Sequence, residues 1–381
     1  MPAAATVFIV RLRPRRHPRF PPPTCYMNQP SSFELIGVGS PIMDLLARVP
    51  DSFLQQNVSG DKGGMVLVDH DEMQRILSCL DGEPAYSTGG SAANATYNAS
   101  RLGLRTTFLG KLGNDRLSTI YRHAFERAGV NPSRFKHAAQ ANARCLALVT
   151  PDAQRTMRTC LGAAMTLSPT EVSATDFAGC KHAHIEGYLV FNRALADAVL
   201  TAARDAGCTT SLDLSSFEVV NASRDWLFNQ FRRGIDIVFA NEDEIRTLFE
   251  DHTSSYESLA RRLAEHGVLA AVKVGKDGAW IAHDVALHRI EPVPVADVID
   301  TNGAGDAWAA GFLFGHLRGM ALPQCGVLAS TLGAETVMHM GPIIPDTDFE
   351  VLRARLLAPA PTEQPFPQAQ RAAPVDSPMT S

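Results

Sequence analysis

The sequence predicts an α/β protein: a doubly wound, mostly parallel sheet with helices on both faces, and a small β-sheet standing off it. Short apolar runs alternate with amphipathic stretches of helical length, as strands joined by crossover helices require. Two regions, 49–68 and 143–161, break that alternation with strand-forming residues and turn signals. The 381 residues are 45% hydrophobic and 20% charged, ordinary globular composition with length for one large domain or two smaller ones.

Taken in order, residues 1–32 carry Arg11, Arg13, Arg15, Arg16 and Arg19, no acidic residue, and the run Pro21-Pro22-Pro23. Such a segment buries no core and is expected to be disordered. An organelle-targeting peptide can look like this; a simple tail, or a start at Met27, is the alternative. The first strand, over 34–38, runs into Gly37-Val38-Gly39, with Asp44 just beyond. A carboxylate there can accept from two sugar hydroxyls, or be a solvated loop aspartate. Residues 49–68 read as a loop ending in strand formers.

Gly89-Gly90-Ser91 then opens a helix over 91–102. Small residues there admit a ligand close to the backbone, and Asn94, one turn in, can bind a hydroxyl. The same tripeptide is also a common turn and cap. A strand over 106–109 and a helix over 117–128 follow. Residues 143–161 read as a hairpin pairing 145–149 with 155–160 around Pro151-Asp152. Strands over 183–186, 209–214, 235–240 and 269–274 alternate with helices over 193–206, 242–250 and 255–266. His182 and His184 alternate along an apolar run, so one of them is expected to face inwards, as a structural residue.

Asn241-Glu242-Asp243-Glu244 follows the apolar end of the strand over 235–240. Ligands of doubly wound sheets bind beyond the strands' carboxyl ends, where acidic residues can order water around Mg²⁺ on phosphates. Favourable charge in a first helical turn is the even alternative. The densest signal lies late, where Asp300-Thr301-Asn302-Gly303-Ala304-Gly305-Asp306 opens an apolar helix over 304–317. Unpaired N–H groups at a helix start suit a phosphoryl anion. Asp306 can be a cap or the group that accepts a proton from an attacking hydroxyl. Residues 358–381, rich in Pro, Ala and Gln, read as a second loose tail.

Composition excludes several classes. A formal net charge of −5 gives no general pull towards nucleic acid or an anionic membrane, and no apolar run approaches the roughly 20 residues of a bilayer span. The seven cysteines are scattered and odd in number, with no C-x-x-C pair, as free thiols in a reducing cytoplasm would be. Neither a Walker-type phosphate loop nor a dinucleotide fingerprint with its acidic partner is present.

Together these segments resemble the ribokinase-like (PfkB) family of carbohydrate and nucleoside kinases. The late motif D-T-x-G-A-G-D is met in full by Asp300–Asp306. The early motif is met by Ser87–Asn94 and Gly110–Asp115, and N-x-x-E by Asn241 and Glu244. Lys273-Val274-Gly275-Lys276-Asp277-Gly278 is similar to the family's glycine-containing turn over ATP. The likeness spans about 33–357, and within the family it is nearest to adenosine kinases and their bacterial relatives.

The resemblance implies a ribokinase-like kinase domain over 33–357 with a lid from about 48–68 and 143–161, using ATP and Mg²⁺. Asp306 would be the catalytic base, with Gly303, Ala304 and Gly305 as its anion hole. Asp44, Gly89, Gly90, Asn94 and Asn302 would hold the acceptor. Asn241, Glu244, Lys273, Gly275, Gly278 and Thr301 would bind the nucleotide, Glu244 reaching Mg²⁺ through water. Base-binding positions are expected near Leu146 and Leu148. Some relatives carry a monovalent cation such as K⁺ near the Asp300–Asp306 turn, and relatives are monomers or homodimers. The expected reaction is phosphoryl transfer to a nucleoside, adenosine 5′-OH first. The alternatives are a sugar kinase acting on ribose, fructose or a related hexose, and a non-catalytic binding regulator.

Overall fold

The computed structural model describes residues 32–152 and 154–358, so the two expected tails lie outside the described residues except for Ser32 and Ala358. Nine strands form the main sheet, in spatial order Ala286–Ile290, Ala279–His283, Leu269–Lys273, Ile237–Ala240, Thr209–Asp213, Cys180–Glu186, Phe33–Val38, Thr106–Leu109 and Val130–Asn131. From Leu269–Lys273 onward every neighbour is parallel, and the first two strands are antiparallel. All seven parallel strands therefore end at the same edge.

The sheet is buried on both faces. Ile36, Val38, Ala183, Ile185, Leu212 and Val238 pack under the helices Arg193–Asp205, Phe217–Arg232, Glu242–Phe249 and Tyr256–Ala264. Leu35, Ile237, Phe239 and Ala271 pack under Ser91–Leu102, Ala304–Leu317, Leu322–Thr336 and Asp346–Leu356. The helix Ala304–Leu317 is buried continuously from Ala307 to Gly315, being clamped between the sheet and its helical neighbours. Each fully buried large side chain, such as Phe312, contributes about 1.5–3 kcal/mol.

A second sheet of five strands stands beside this body, in the order Met65–Leu67, Arg155–Cys160, Arg144–Val149, Ile42–Arg48 and Ala85–Gly89. One face is backed by the helices His70–Ser78 and Arg116–Arg127, with Met43, Leu45, Leu146, Leu148 and Tyr121 between them. The hairpin expected around Pro151-Asp152 is present, with Arg155 paired to Val149.

The structure departs from expectation in several places. The small sheet takes two further strands, Ile42–Arg48 and Ala85–Gly89, and a helix Asp51–Asn57 lies within the expected loop. Asp44 is thus a strand residue, not a loop residue. Five-residue strands at 279–283 and 286–290 and four helices, at 70–78, 217–232, 322–336 and 346–356, also went unpredicted. His182 and His184 are both buried, because residues two apart on a strand share one face. They share a hydrogen-bond chain through the Ser211 hydroxyl, at 2.8 and 2.9 Å. The six described cysteines are all free thiols.

Candidate active site

Parallel strands bring Gly39, Glu186, Asp213, Asn241 and Lys273 to one edge, where the helix Ala304–Leu317 begins. Gly303 precedes that helix with φ of +77°, and a Cβ there would run into Pro342. Only glycine takes this turn without strain. In the first turn the Ala304 N–H reaches the Thr301 carbonyl at a long 3.3 Å, and the following N–H groups have no intrahelical acceptor. Thr301 and Asn302 lie exposed on the turn, and the Asn302 N–H donates to Asp300 Oδ1 at 3.1 Å.

Asp306 lies within this first turn. Its two carboxylate oxygens accept from the Ser91 hydroxyl and the Asn94 amide, each at 2.9 Å. It is therefore not an N-cap: the contacts come from another helix more than 200 residues earlier. Burial pushes its pKa up to about 7. The Asp213 charge adds to that rise, while the bonds from Asn94 and Ser91 and the Lys273 charge oppose it. The Asn94 side-chain oxygen is buried with no partner among the described residues, an acceptor left over for a ligand hydroxyl. Ser91 and Asn94 thus meet Asp306 across the fold, while Gly89 lies against Asp44 and Gly90 against the Ser40 carbonyl.

Beside this turn, Lys273 Nζ pairs with Asp213 Oδ2 at 3.0 Å. It also lies 3.3 Å from where a Cβ on Gly305 would sit. Burial depresses the ammonium's pKa, but Asp213, Glu244 and Asp306 outweigh it and the net shift is upward. Asn241 and Glu244 form a reciprocal capping box, with three hydrogen bonds at 2.8–2.9 Å. The Glu244 carboxyl is shifted upward by burial and by Asp213. Three carboxylates, of Asp213, Glu244 and Asp306, thus face one ammonium, an excess of negative charge that a divalent cation would relieve. Among the described residues no three His, Cys, Asp or Glu side chains converge on an ion by themselves. That excess of charge fits a divalent cation carried on phosphates, which Glu244 would hold through water. Gly275 and Gly278 bracket the short turn after Lys273, where the Val274 N–H donates to the Gly278 carbonyl at 2.8 Å.

On the opposite wall, Asp44 lies over Gly89: a Cβ there would come within 2.5 Å of its carboxylate. Burial raises the Asp44 pKa to about 7, Arg155 opposing and Asp300 reinforcing. Arg155, on the small sheet, pairs with Asp300 Oδ2 at 2.6 Å, and the Gly341 N–H donates to the same oxygen. This ties the hairpin to the turn before Gly303.

The register of the small sheet sets Asp44, Cys145, Thr159 and Leu67 side by side on four successive strands. At about 4.8 Å per strand the row spans about 14 Å. It ends at a cavity of about 540 Å³ lined by Leu67, Val68, Ala141, Thr159, Leu161 and Met165, among others. Leu146 and Leu148, the expected base-binding positions, face the other way into the helix-backed core. Strand alternation decides this: residues on the Asp44 face have the parity of Cys145 and Ala147.

Glu186, Asp213, Ser91 and Arg155 were not among the predicted site residues. Glu186 is buried under Gly39 and accepts from the Ser40 N–H at 2.8 Å and the Ala92 N–H at 3.4 Å, with a pKa raised by burial to about 7. Ile185-Glu186 and Leu212-Asp213 carry the signal that singled out Asn241: a polar residue ending an apolar strand. Arg155 carried no local signal.

A doubly wound sheet with an anion-binding helix start, a buried carboxylate and a lysine beside it defines a phosphoryl-transfer enzyme of the ribokinase type. The chain belongs to the pfkB family of carbohydrate kinases, which it matches over residues 64–348. It is an ATP-dependent phosphotransferase. The adenosine kinase from Sinorhizobium meliloti superposes with a TM-score of 0.75 at 32% identity, covering 85% of this chain and 99% of that one. A probable sugar kinase from Rhizobium etli gives a TM-score of 0.74 at 29% identity, covering 86% and 100%. A nucleoside kinase of Methanothermobacter thermautotrophicus is 31% identical over 274 residues, 70% of this chain and 84% of that protein. Among the described residues no helix is long and apolar enough to cross a membrane.

Proposed function

We propose that this enzyme transfers the γ-phosphoryl group of ATP to the 5′-hydroxyl of a nucleoside, adenosine first, with Asp306 as general base. The observation that carries the base assignment is the Asp306 carboxylate, half-buried at an anion-binding helix start and held by Ser91 and Asn94. A carboxyl near pKa 7 is well matched to accepting a proton at neutral pH. As the acceptor oxygen attacks the γ-phosphorus, the bond to the β,γ-bridging oxygen breaks to release ADP, and the acceptor's proton passes to Asp306. N–H groups of the Gly303–Gly305 turn receive the charge on the phosphoryl oxygens. Asn302 and Thr301 border the turn, and Gly275 and Gly278 shape the nucleotide side. Mg²⁺ would neutralise phosphate charge, and Glu244 would hold it through water.

The choice of nucleoside over sugar rests on the row from Asp44 to Leu67. A ribose held at Asp44 and the free Asn94 oxygen would extend its base across Cys145 and Thr159 towards the largely apolar cavity. A lone monosaccharide would leave that space unfilled. The five-stranded sheet would act as the lid that excludes water.

Two experiments test this. Asp306→Asn is expected to keep fold and ADP affinity while turnover falls by at least a hundredfold; near-normal turnover would remove Asp306 as base. A panel of adenosine, other nucleosides, ribose and fructose with ATP and Mg²⁺ should show adenosine used most efficiently. Activity on the sugars alone would transfer the assignment to a sugar kinase.

A further inference from the structure

The ion pair between Asp213 and Lys273 has a geometry that the reading above does not use. The two residues end strands that are not neighbours: Ile237–Ala240 runs between them. Across two strand spacings, about 10 Å, the pair arches over the start of the Asn241–Glu244 cap. Each Asp213 oxygen is committed. Oδ2 accepts from Lys273 Nζ at 3.0 Å, and Oδ1 accepts from the Ser215 N–H at 2.9 Å. Ser215 itself sits at φ of +66°, the left-handed region that a serine enters only under strain. Its hydroxyl accepts from the Gly187 N–H at 2.8 Å, which anchors the turn to the neighbouring strand end. A strained, doubly anchored turn thus aims one carboxylate oxygen at one ammonium. That ammonium lies 3.3 Å from the position of a Cβ on Gly305, against the proposed phosphoryl hole.

We propose that Asp213 is a positioning residue for phosphoryl transfer: it holds the Lys273 ammonium at the first turn of Ala304–Leu317, ready to pair with the transferring group. A lysine carries a long stem with rotatable donors, and without an anchor it is free to seek other partners. Here those partners are Glu244 and Asp306. An ammonium paired to Asp306 blocks the base, and one paired to Glu244 leaves the hole. The inference deepens the kinase reading and rests on it for the place of the phosphoryl group.

The test is a double-mutant cycle on kcat with Asp213→Asn and Lys273→Met, with AMP-PNP and ADP affinities followed by calorimetry. Asn keeps an oxygen for the Ser215 N–H, so the turn is preserved, and thermal melts check this. Asp213→Asn is expected to lower kcat at least tenfold without weakening nucleotide binding, because a negative charge leaves the site. Lys273→Met is expected to weaken AMP-PNP more than ADP. In the Lys273→Met background the Asp213 substitution should have little further effect, within about twofold on kcat. The acid limb of kcat/KM should move down in pH for Asp213→Asn and up for Lys273→Met, shifts that a merely structural role would not produce. Asp213→Glu should restore part of kcat. Losses that multiply in the double variant, or an Asp213→Asn defect relieved by raised Mg²⁺, would overturn the proposal. If Asp213→Asn unfolds, unchanged AMP-PNP against ADP selectivity in Lys273→Met alone would also overturn it. The cycle is independent of which group is the base: retained turnover in Asp306→Asn would sink that assignment and leave the cycle to be read on its own.

Discussion

At the scale of single residues, three carboxyls of the site, Asp44, Glu186 and Asp306, are raised to about 7, each chiefly by burial. Their consequence for activity has a definite sign. A general base works ionised, so kcat/KM should fall tenfold per pH unit below about 7 and level off above it. Three groups could produce such a limb, and Glu186→Gln separates Glu186 from Asp306. Removing the Glu186 charge, which raises the Asp306 pKa only through space, should shift the limb to slightly lower pH and keep its one-proton slope. A limb that vanishes in Glu186→Gln would transfer the titration from Asp306 to Glu186. Close approach matters at the same scale. Gly89 gives room to the Asp44 carboxylate, and Gly303 takes a backbone angle that a side chain would strain.

At the scale of elements, the helix Glu242–Phe249 shows that the two readings of Asn241-Glu242-Asp243-Glu244 are compatible. The capping box is present in full, and the same Glu244 lies buried beside Asp213 and Lys273. Asn241→Ala should therefore cost about 1 kcal/mol of stability and also raise the Mg²⁺ concentration needed for half-maximal activity. Denaturant unfolding and a Mg²⁺ titration check both effects. A stability loss with unchanged Mg²⁺ dependence would leave Glu244 as a cap alone. The helix Ala304–Leu317 was legible for a different reason: an apolar run too long for a strand, opening on glycines. Helices such as Phe217–Arg232 and Leu322–Thr336 were missed. Leu322–Thr336 is buried on several sides, so no single apolar stripe marks it.

At the scale of the whole molecule, the small sheet meets the body through Arg155 and Asp300, a pair largely shielded from solvent and joined at 2.6 Å. Without the arginine, Asp300 keeps the Gly341 and Asn302 N–H groups, so the fold should tolerate its loss. Closure over the acceptor should not. Arg155→Ala is expected to change Tm by only a few degrees, reduce kcat at least tenfold, and let ADP form faster than phosphorylated acceptor. ADP and phosphorylated acceptor still formed one for one would argue against the sheet as a water-excluding lid. Six parallel strands of the main sheet were readable because they are buried on both faces, giving near-continuous apolar runs; the antiparallel strands Ala279–His283 and Ala286–Ile290 and the two-residue Val130–Asn131 were not. The small sheet was readable at its hairpin and at the strand formers of Met65–Leu67, but not at Ile42–Arg48, which is buried on one face only, nor at Ala85–Gly89, which is buried only at Thr88 and Gly89.

By itself the sequence determined the α/β class, the main strands of the parallel sheet and the late glycine turn with its aspartate, since these follow from local patterning. It also marked Asp44, Gly89, Asn94 and Asn241 as separate candidate points, and Lys273 through the family resemblance. Only the tertiary structure decided which of them meet. Ser91 and Asn94 hold Asp306 from more than 200 residues away, Lys273 finds Asp213 across an intervening strand, and Leu146 turns its back on the site that Cys145 faces. The physical reason is that side-chain direction and long-range contact depend on register and crossover, which a chain acquires only when its buried faces pack together.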